Sequence, residues 1–347
     1  MPMPYPGEKD KSILKLIVES YLKIGKPISS GFVAEKSNHS VSSATIRNIM
    51  AKLEEYGYLI QPHTSAGRIP TDKGLRFYVN SLLEEAILPI KQVKLPSEDF
   101  YQKKGDFNSL LSQVSKILAE HSDNLGFVLS PRISRINFFH LRFIKISGEK
   151  VMIILITSFN LVLTEIVESS TYFTQVELDE AAEYINKSFR GKNLLFVRNY
   201  LLYELPKYKL SYENIINKLV ALLKAYIFQE ERENQIFLQG TSKLLEKPDF
   251  FDMEKLKSLF QKFEEKAKLA KLLSDFISLD KVKVLIGSEL NIPDISDCSL
   301  VLSHYGYDSH VLGSLGIIGP KRIPYKRIIP LVDSIAKKLS QTISINQ

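Results

Sequence analysis

The sequence predicts an α+β multidomain protein with an N-terminal winged helix-turn-helix. Three observations predict it. Residues 29–80 run as short helix, turn, capped helix and glycine-bearing hairpin. Apolar runs separated by two-residue turns follow at 138–168, and strand-like runs return at 282–319. Between them, residues 177–237 change to helical periodicity, as an insertion within a mixed domain would.

Taken in order, Ile13, Leu14, Ile17, Val18, Tyr21 and Leu22 form one apolar stripe on a helix over 8–24. Gly25 stops that helix and Pro27 prevents its continuation. Ser29 or Ser30 caps a short second helix containing Phe32, Val33 and Ala34, and Asn38, His39 and Ser40 supply a turn. A third helix starts at Ser42. Its Ile46, Ile49, Met50 and Leu53 fall at i, i+3, i+4 and i+7, and Gly57 closes it. Tyr58 to Ile60 and Gly67 to Pro70 read as a hairpin around a polar tip, and Thr71 caps the next helix.

The polar stretch at 91–106 is the expected linker. A helix is expected over 107–123, then antiparallel strands at 138–146, 149–157 and 161–168. Helices are expected at 178–189, 194–204, 212–237 and 251–276. Strands follow at 282–286, 299–304 and 314–319, and a helix at 328–342 closes the chain.

Composition sets bounds. At 347 residues the chain exceeds one compact core, so two or three domains are expected. With 46 Lys and Arg against 39 Asp and Glu, the net charge is +7, compatible with an anionic partner but no evidence for one alone. The single cysteine, Cys298, excludes an intramolecular disulfide framework. The N-terminus lacks the order of a signal peptide, and the longest clean apolar run, Val151 to Ile156, is far short of a membrane span. A cytoplasmic protein is expected.

The polar side of the third helix is the candidate site. Arg47 suits guanine O6 and N7, and Asn48 suits adenine N6 and N7, each as a bidentate contact. Ser42, Ser43 and Thr45 suit phosphate oxygens, and Ala44 and Ala51 keep that face thin enough for close approach. A Ser/Thr-rich helix start alone more often just caps a surface helix. The short helix and turn before it, and the hairpin after it, favour double-stranded DNA. His63, Thr64, Ser65 and Arg68 then sit at or beside the tip of the wing.

Gly313, Gly316 and Gly319 match neither phosphate-loop pattern and read as close-packed or bulged strand positions. Cys298, His304 and His310 lack zinc spacing. No acid–base or nucleophile set is clustered, so neither an enzyme nor a cofactor is expected.

The segments SSATIRNIMAKLEEYGYL (42–59) and PHTSAGRIPTDKGLRFYV (62–79) resemble the signatures of the HrcA family, bacterial heat-inducible transcription repressors. LQGTSKLLEKPDF (238–250), LIGSEL (285–290) and GIIGPKRIPYKRII (316–329) resemble its C-terminal segments. The resemblance implies a winged-helix domain at 1–90, a discontinuous GAF-like domain at 107–176 and 238–347, and a mainly helical dimerisation domain inserted at 177–237. It implies a homodimer repressing chaperone operons from an inverted-repeat operator, with the chaperonin helping the repressor reach its active form. Carried over by position, Ser42, Ser43, Thr45, Arg47, Asn48 and Lys52 take DNA-binding roles on the helix, and His63, Thr64, Ser65 and Arg68 take them on the wing. Ile49 stands where the family usually has an acidic residue, and altered packing is expected there. Lys321 and Pro324 also depart from the family's commoner residues. The rival reading is a regulator that uses the GAF-like domain as a small-molecule pocket.

Overall fold

The computed structural model describes residues 6–37, 41–64, 66–84, 107–131, 137–157, 162–168, 172–200, 236–245, 282–291, 295–307 and 310–345. The chain is mixed α/β. The expected linker, the turns at 38–40 and 159–160, Ser65, the 251–276 helix and nearly all of the 212–237 helix lie outside the described residues.

The head begins with α1 (Glu8–Ile24), ended by Gly25 at φ 73°, whose N–H donates to the Tyr21 carbonyl at 2.8 Å. Next comes α2 (Ser30–Lys36), where the Ser29 hydroxyl accepts from the Phe32 N–H. Then α3 (Ser43–Glu55) buries Ile46, Ile49, Met50 and Leu53. Each such side chain contributes about 1.5–3 kcal/mol when fully buried. The helix ends in a Schellman arrangement. Gly57, at φ 74°, donates to the Glu54 carbonyl at 2.9 Å, and Tyr58 donates to the Leu53 carbonyl at 2.9 Å. The hairpin strands β1 (Leu59–Ile60) and β2 (Ile69–Pro70) pair antiparallel. Next, α4 (Asp72–Glu84) buries Leu75, Tyr78, Val79 and Leu82.

After the head, α5 (Phe107–Ser122) leads into β3 (Leu125–Leu129). A meander follows: β4 (Phe138–Ser147), β5 (Lys150–Thr157) and β6 (Val162–Glu168). Then come α6 (Gln175–Phe189) and α7 (Leu194–Asn199). The chain returns in β7 (Ile236–Gln239), α8 (Thr241–Leu245) and β8 (Lys283–Ile286). A 3-10 turn (Gly287–Leu290), β9 (Cys298–Tyr307), β10 (His310–Pro320) and α9 (Tyr325–Ile345) complete it.

Five strands form one antiparallel sheet in the order β7-β3-β10-β9-β8. Helices α5 and α9 pack together over it, and buried side chains from both join those of the head in one continuous cluster. Leu125, Phe127, Leu300 and Leu302 belong to a separate buried cluster. The three glycines of β10 sit at close approaches. A Cβ would stand 2.6 Å from the Leu129 carbonyl oxygen at Gly313, 2.1 Å from that of Val301 at Gly316 and 2.3 Å from Asn124 Oδ1 at Gly319. The register shifts between Val311 and Gly313.

Two sequence expectations change. Ile236 and Phe237, expected to end a helix, are strand residues paired with Leu129 and Val128. The expected boundary at 176/177 falls inside α6. Strands β4 to β6 share a core not with the five-stranded sheet but with α6 and α7: Phe138, Leu141, Phe143, Val151, Ile153 and Leu155 bury with Leu178, Ala181, Ile185 and Phe189. The Asn186 amide fastens α6 to β4, accepting from the Leu141 N–H at 2.7 Å and donating to its carbonyl at 2.9 Å. Alternating hydropathy identifies these strands, but it does not say which layer their buried face meets.

Candidate nucleic-acid interface

The amphipathic pattern of α3 decides which of its side chains reach solvent. With Ile46, Ile49, Met50 and Leu53 turned inward, Ala44, Thr45, Arg47, Asn48 and Ala51 are exposed on the other side. Among the described residues, Arg47 and Asn48 have no ion pair or hydrogen-bond partner for their side chains. A planar guanidinium and a carboxamide therefore stand side by side, flanked by two alanines. Ser42 is the N-cap, its hydroxyl accepting from the Thr45 N–H at 3.2 Å and lying 2.9 Å from the Thr45 hydroxyl. Ser43 is half-buried, its hydroxyl 3.1 Å from that of Ser30. That contact joins the starts of α2 and α3.

Lys52 points elsewhere. Its ammonium donates to Asp10 at 2.7 Å, tying α3 to α1. The hydrogen bond to Asp10, helped by Asp10's charge and opposed by partial desolvation, holds the Lys52 pKa above its ordinary value. Asp10 also accepts from the Gly7 N–H at 3.3 Å.

The hairpin is fixed from within. Arg68 exchanges both backbone hydrogen bonds with Ile28, each at 2.9 Å, so the segment between α1 and α2 adds a third short strand position. Gly67 is required there, because a Cβ would stand 2.3 Å from the Ile28 carbonyl oxygen. The close approach at Gly67 is therefore made to the chain's own backbone. The Arg68 side chain, expected on DNA, donates to Glu54 Oε2 at 2.8 Å. Glu54 Oε1 accepts from the Gln61 N–H at 3.1 Å. The Gln61 amide spans the tip, donating to the carbonyls of Thr64 at 2.9 Å and Ala66 at 3.0 Å. His63 and Thr64 are exposed at the tip.

Glu54 and Gln61 escape sequence reasoning. Glu54 adjoins Glu55 at a charged helix end, and nothing in the pattern separates the carboxylate that organises the hairpin from the one facing water.

A family profile described as HrcA protein C terminal domain matches residues 108–329. The chain is 34% identical to the heat-inducible transcription repressor HrcA of Geobacter sulfurreducens over 335 residues, covering 96% of this chain and 97% of that protein. The chain belongs to the HrcA family. The HrcA repressor of Thermodesulfovibrio yellowstonii is 31% identical over 97% of this chain and 98% of its own length. That of Xylella fastidiosa is 34% identical over 97% of this chain and 95% of its own. A crystal structure titled only as a hypothetical protein shares the fold, with a TM-score of 0.65 at 24% identity over 99% of this chain and 100% of that one. Matches to HrcA relatives span the head as well as the domains after it. Ile49 is buried among the inward side chains of α3. No described helix is long and apolar enough to cross a membrane.

Proposed function

We propose that this HrcA-family chain is a cytoplasmic transcriptional repressor of heat-shock operons, binding an inverted-repeat operator as a homodimer. In this reading α2, α3 and the hairpin form a winged helix-turn-helix. Arg47 and Asn48 read base edges, and Ser42, Ser43 and Thr45, with the amino end of α3, hold phosphates. His63, Thr64 and Ser65 lie on the backbone beside the groove, and Arg68 with Glu54 holds the wing in place. Lys52 contributes positive charge at the edge of the helix while anchored to Asp10. The observation that carries the reading is the exposed Thr45, Arg47 and Asn48 face on a helix whose opposite face is fully packed.

The five-stranded antiparallel sheet under α5 and α9 is read as the GAF-like domain. The separate core of β4–β6 with α6 and α7 supports placing the inserted, dimerising unit there. Two-fold symmetry then presents one reading helix to each half-site. The names of the relatives supply the link to heat. Stability of about 5–15 kcal/mol leaves the DNA-competent state open to loss on warming. Chaperonin assistance, implied by the family resemblance, restores it.

A footprint on the promoter of the chaperonin operon tests target, symmetry and spacing together. Two protected half-sites related by a dyad, lost on heating and regained with added chaperonin, are expected. Occupancy indifferent to temperature and to chaperonin would end the heat mechanism, and a single asymmetric footprint would end the dimeric one.

A further inference from the structure

An ionic clasp fastens the head to the five-stranded sheet. Asp72 and Arg76 stand one turn apart on α4. Asp72 Oδ1 accepts from Lys321 Nζ at 2.7 Å, and its Oδ2 accepts from the Ser288 N–H at 3.1 Å and hydroxyl at 3.2 Å. Arg76 donates from Nε to Glu289 Oε1 at 2.7 Å and from Nη2 to the Val284 carbonyl at 2.7 Å, with a further contact from Nη2 to Glu289 Oε2. Glu289 is itself held, since its Oε2 accepts from the Ile286 N–H at 2.9 Å.

The contact surface is also shaped for this fit. Gly287 has φ 54°, and a Cβ on it would meet Asp72 Oδ2 at 2.3 Å. The four charged side chains are 25–32% exposed, so water only partly competes for them. A bidentate guanidinium–carboxylate pair fixes direction as well as distance. None of these contacts uses α3, whose Arg47 and Asn48 stay exposed while the head is docked.

We infer that Asp72, Arg76, Ser288, Glu289 and Lys321 are positioning residues for DNA binding, fixing the orientation of each head and so the half-site spacing that a two-headed molecule accepts. This rests on the dimeric operator reading above. Each added base pair turns the second half-site by roughly 35° about the helix axis. A fixed head rejects that rotation, whereas a loosened head follows it and loses the effective-concentration advantage of a matched spacing.

The test uses the full chain on duplexes whose half-sites are moved one base pair at a time, and on a single half-site. The parent is expected to prefer one spacing by roughly tenfold or more. Arg76→Ala and Asp72→Lys should flatten that preference to within about threefold and leave single half-site affinity within about twofold. Asp72→Lys combined with Lys321→Asp should restore the preference. Variants that keep the parent's preference, or lose single half-site affinity as strongly, overturn the inference. A second readout needs no DNA: spin labels at Glu55→Cys and Lys326→Cys, both exposed, with native Cys298 buried. A narrow distance distribution in the parent that broadens in Arg76→Ala is expected, and equal widths in both overturn the clasp. A parent that binds no inverted repeat at any spacing instead sinks the operator reading, and the label distances still judge the clasp.

Discussion

Arg47 and Asn48 on α3 and Gln61 and Arg68 of the hairpin look alike in sequence, yet they are bonded in opposite ways. Arg47 and Asn48 on α3 are exposed and unengaged among the described residues, while Arg68, Gln61 and Thr71 around the hairpin are committed to their own chain. A packed helix needs only one face, so its other face is left for a partner. A two-stranded hairpin has no such reserve. Its few backbone pairs cannot hold it alone, and polar side chains must complete it. Basic character at a hairpin is therefore weaker evidence of DNA contact than the same character on the outer face of a packed helix.

The largest expected effect breaks the hairpin itself. Gly67→Ala drives a methyl into the Ile28 backbone and should destabilise the head by about 3 kcal/mol. Thermal denaturation of the variant would show it, and an unchanged midpoint would mean that the hairpin is not pinned to Ile28. Glu54→Ala comes next. It leaves the half-buried Arg68 guanidinium and the Gln61 N–H without their acceptor, at a cost of about 2 kcal/mol. Hydrogen exchange at the Gln61 amide should accelerate, while α3 keeps its protection.

Arg68→Ala distinguishes a strut from a DNA ligand. A strut costs about 1 kcal/mol of stability and leaves the salt dependence of DNA binding intact. A slope reduced by about one phosphate contact would instead make Arg68 a DNA ligand.

The smallest effect is pH-dependent and lies at the clasp. Burial alone would raise the Asp72 pKa, but hydrogen bonds from Lys321 and Ser288, with Lys321's charge, hold it below 3.8. Arg76 and Glu289 are the neighbouring charges on that surface, and the buried Tyr325 hydroxyl lies beneath, its own pKa raised chiefly by burial. A carboxylate with a lowered native pKa adds stability above its unfolded value and loses it as pH falls through the native one. The stability gap between the parent and Asp72→Asn should therefore shrink as pH drops below 3.8. A gap constant with pH would show that Lys321 and Ser288 do not lower the Asp72 pKa on folding.

Most of the head was legible because its helices are amphipathic and punctuated by Ser29, Ser42, Gly25 and Gly57, whose capping roles are local. The exposed polar face of α3 was legible for the same reason. Once four apolar positions are assigned to the core, geometry exposes Arg47 and Asn48. What the sequence withheld is contact over long separation. Nothing local ties Glu54 to Arg68, Arg76 to Glu289 or β7 to β3. The short strand β3 is apolar at every position but Gly126, where α5 crosses so closely that a Cβ would stand 2.3 Å from the Ser115 carbonyl oxygen. A strand buried along its whole length shows no alternation, and periodicity gives no sign of it.

The most direct test is a titration of the parent and Arg47→Ala against the operator and a scrambled duplex at one fixed salt concentration. A loss of about 1–3 kcal/mol on the operator, little change on the scrambled duplex and unaltered thermal stability are expected. Equal operator affinity for both proteins would contradict this reading, because the exposed side of α3 would then read nothing.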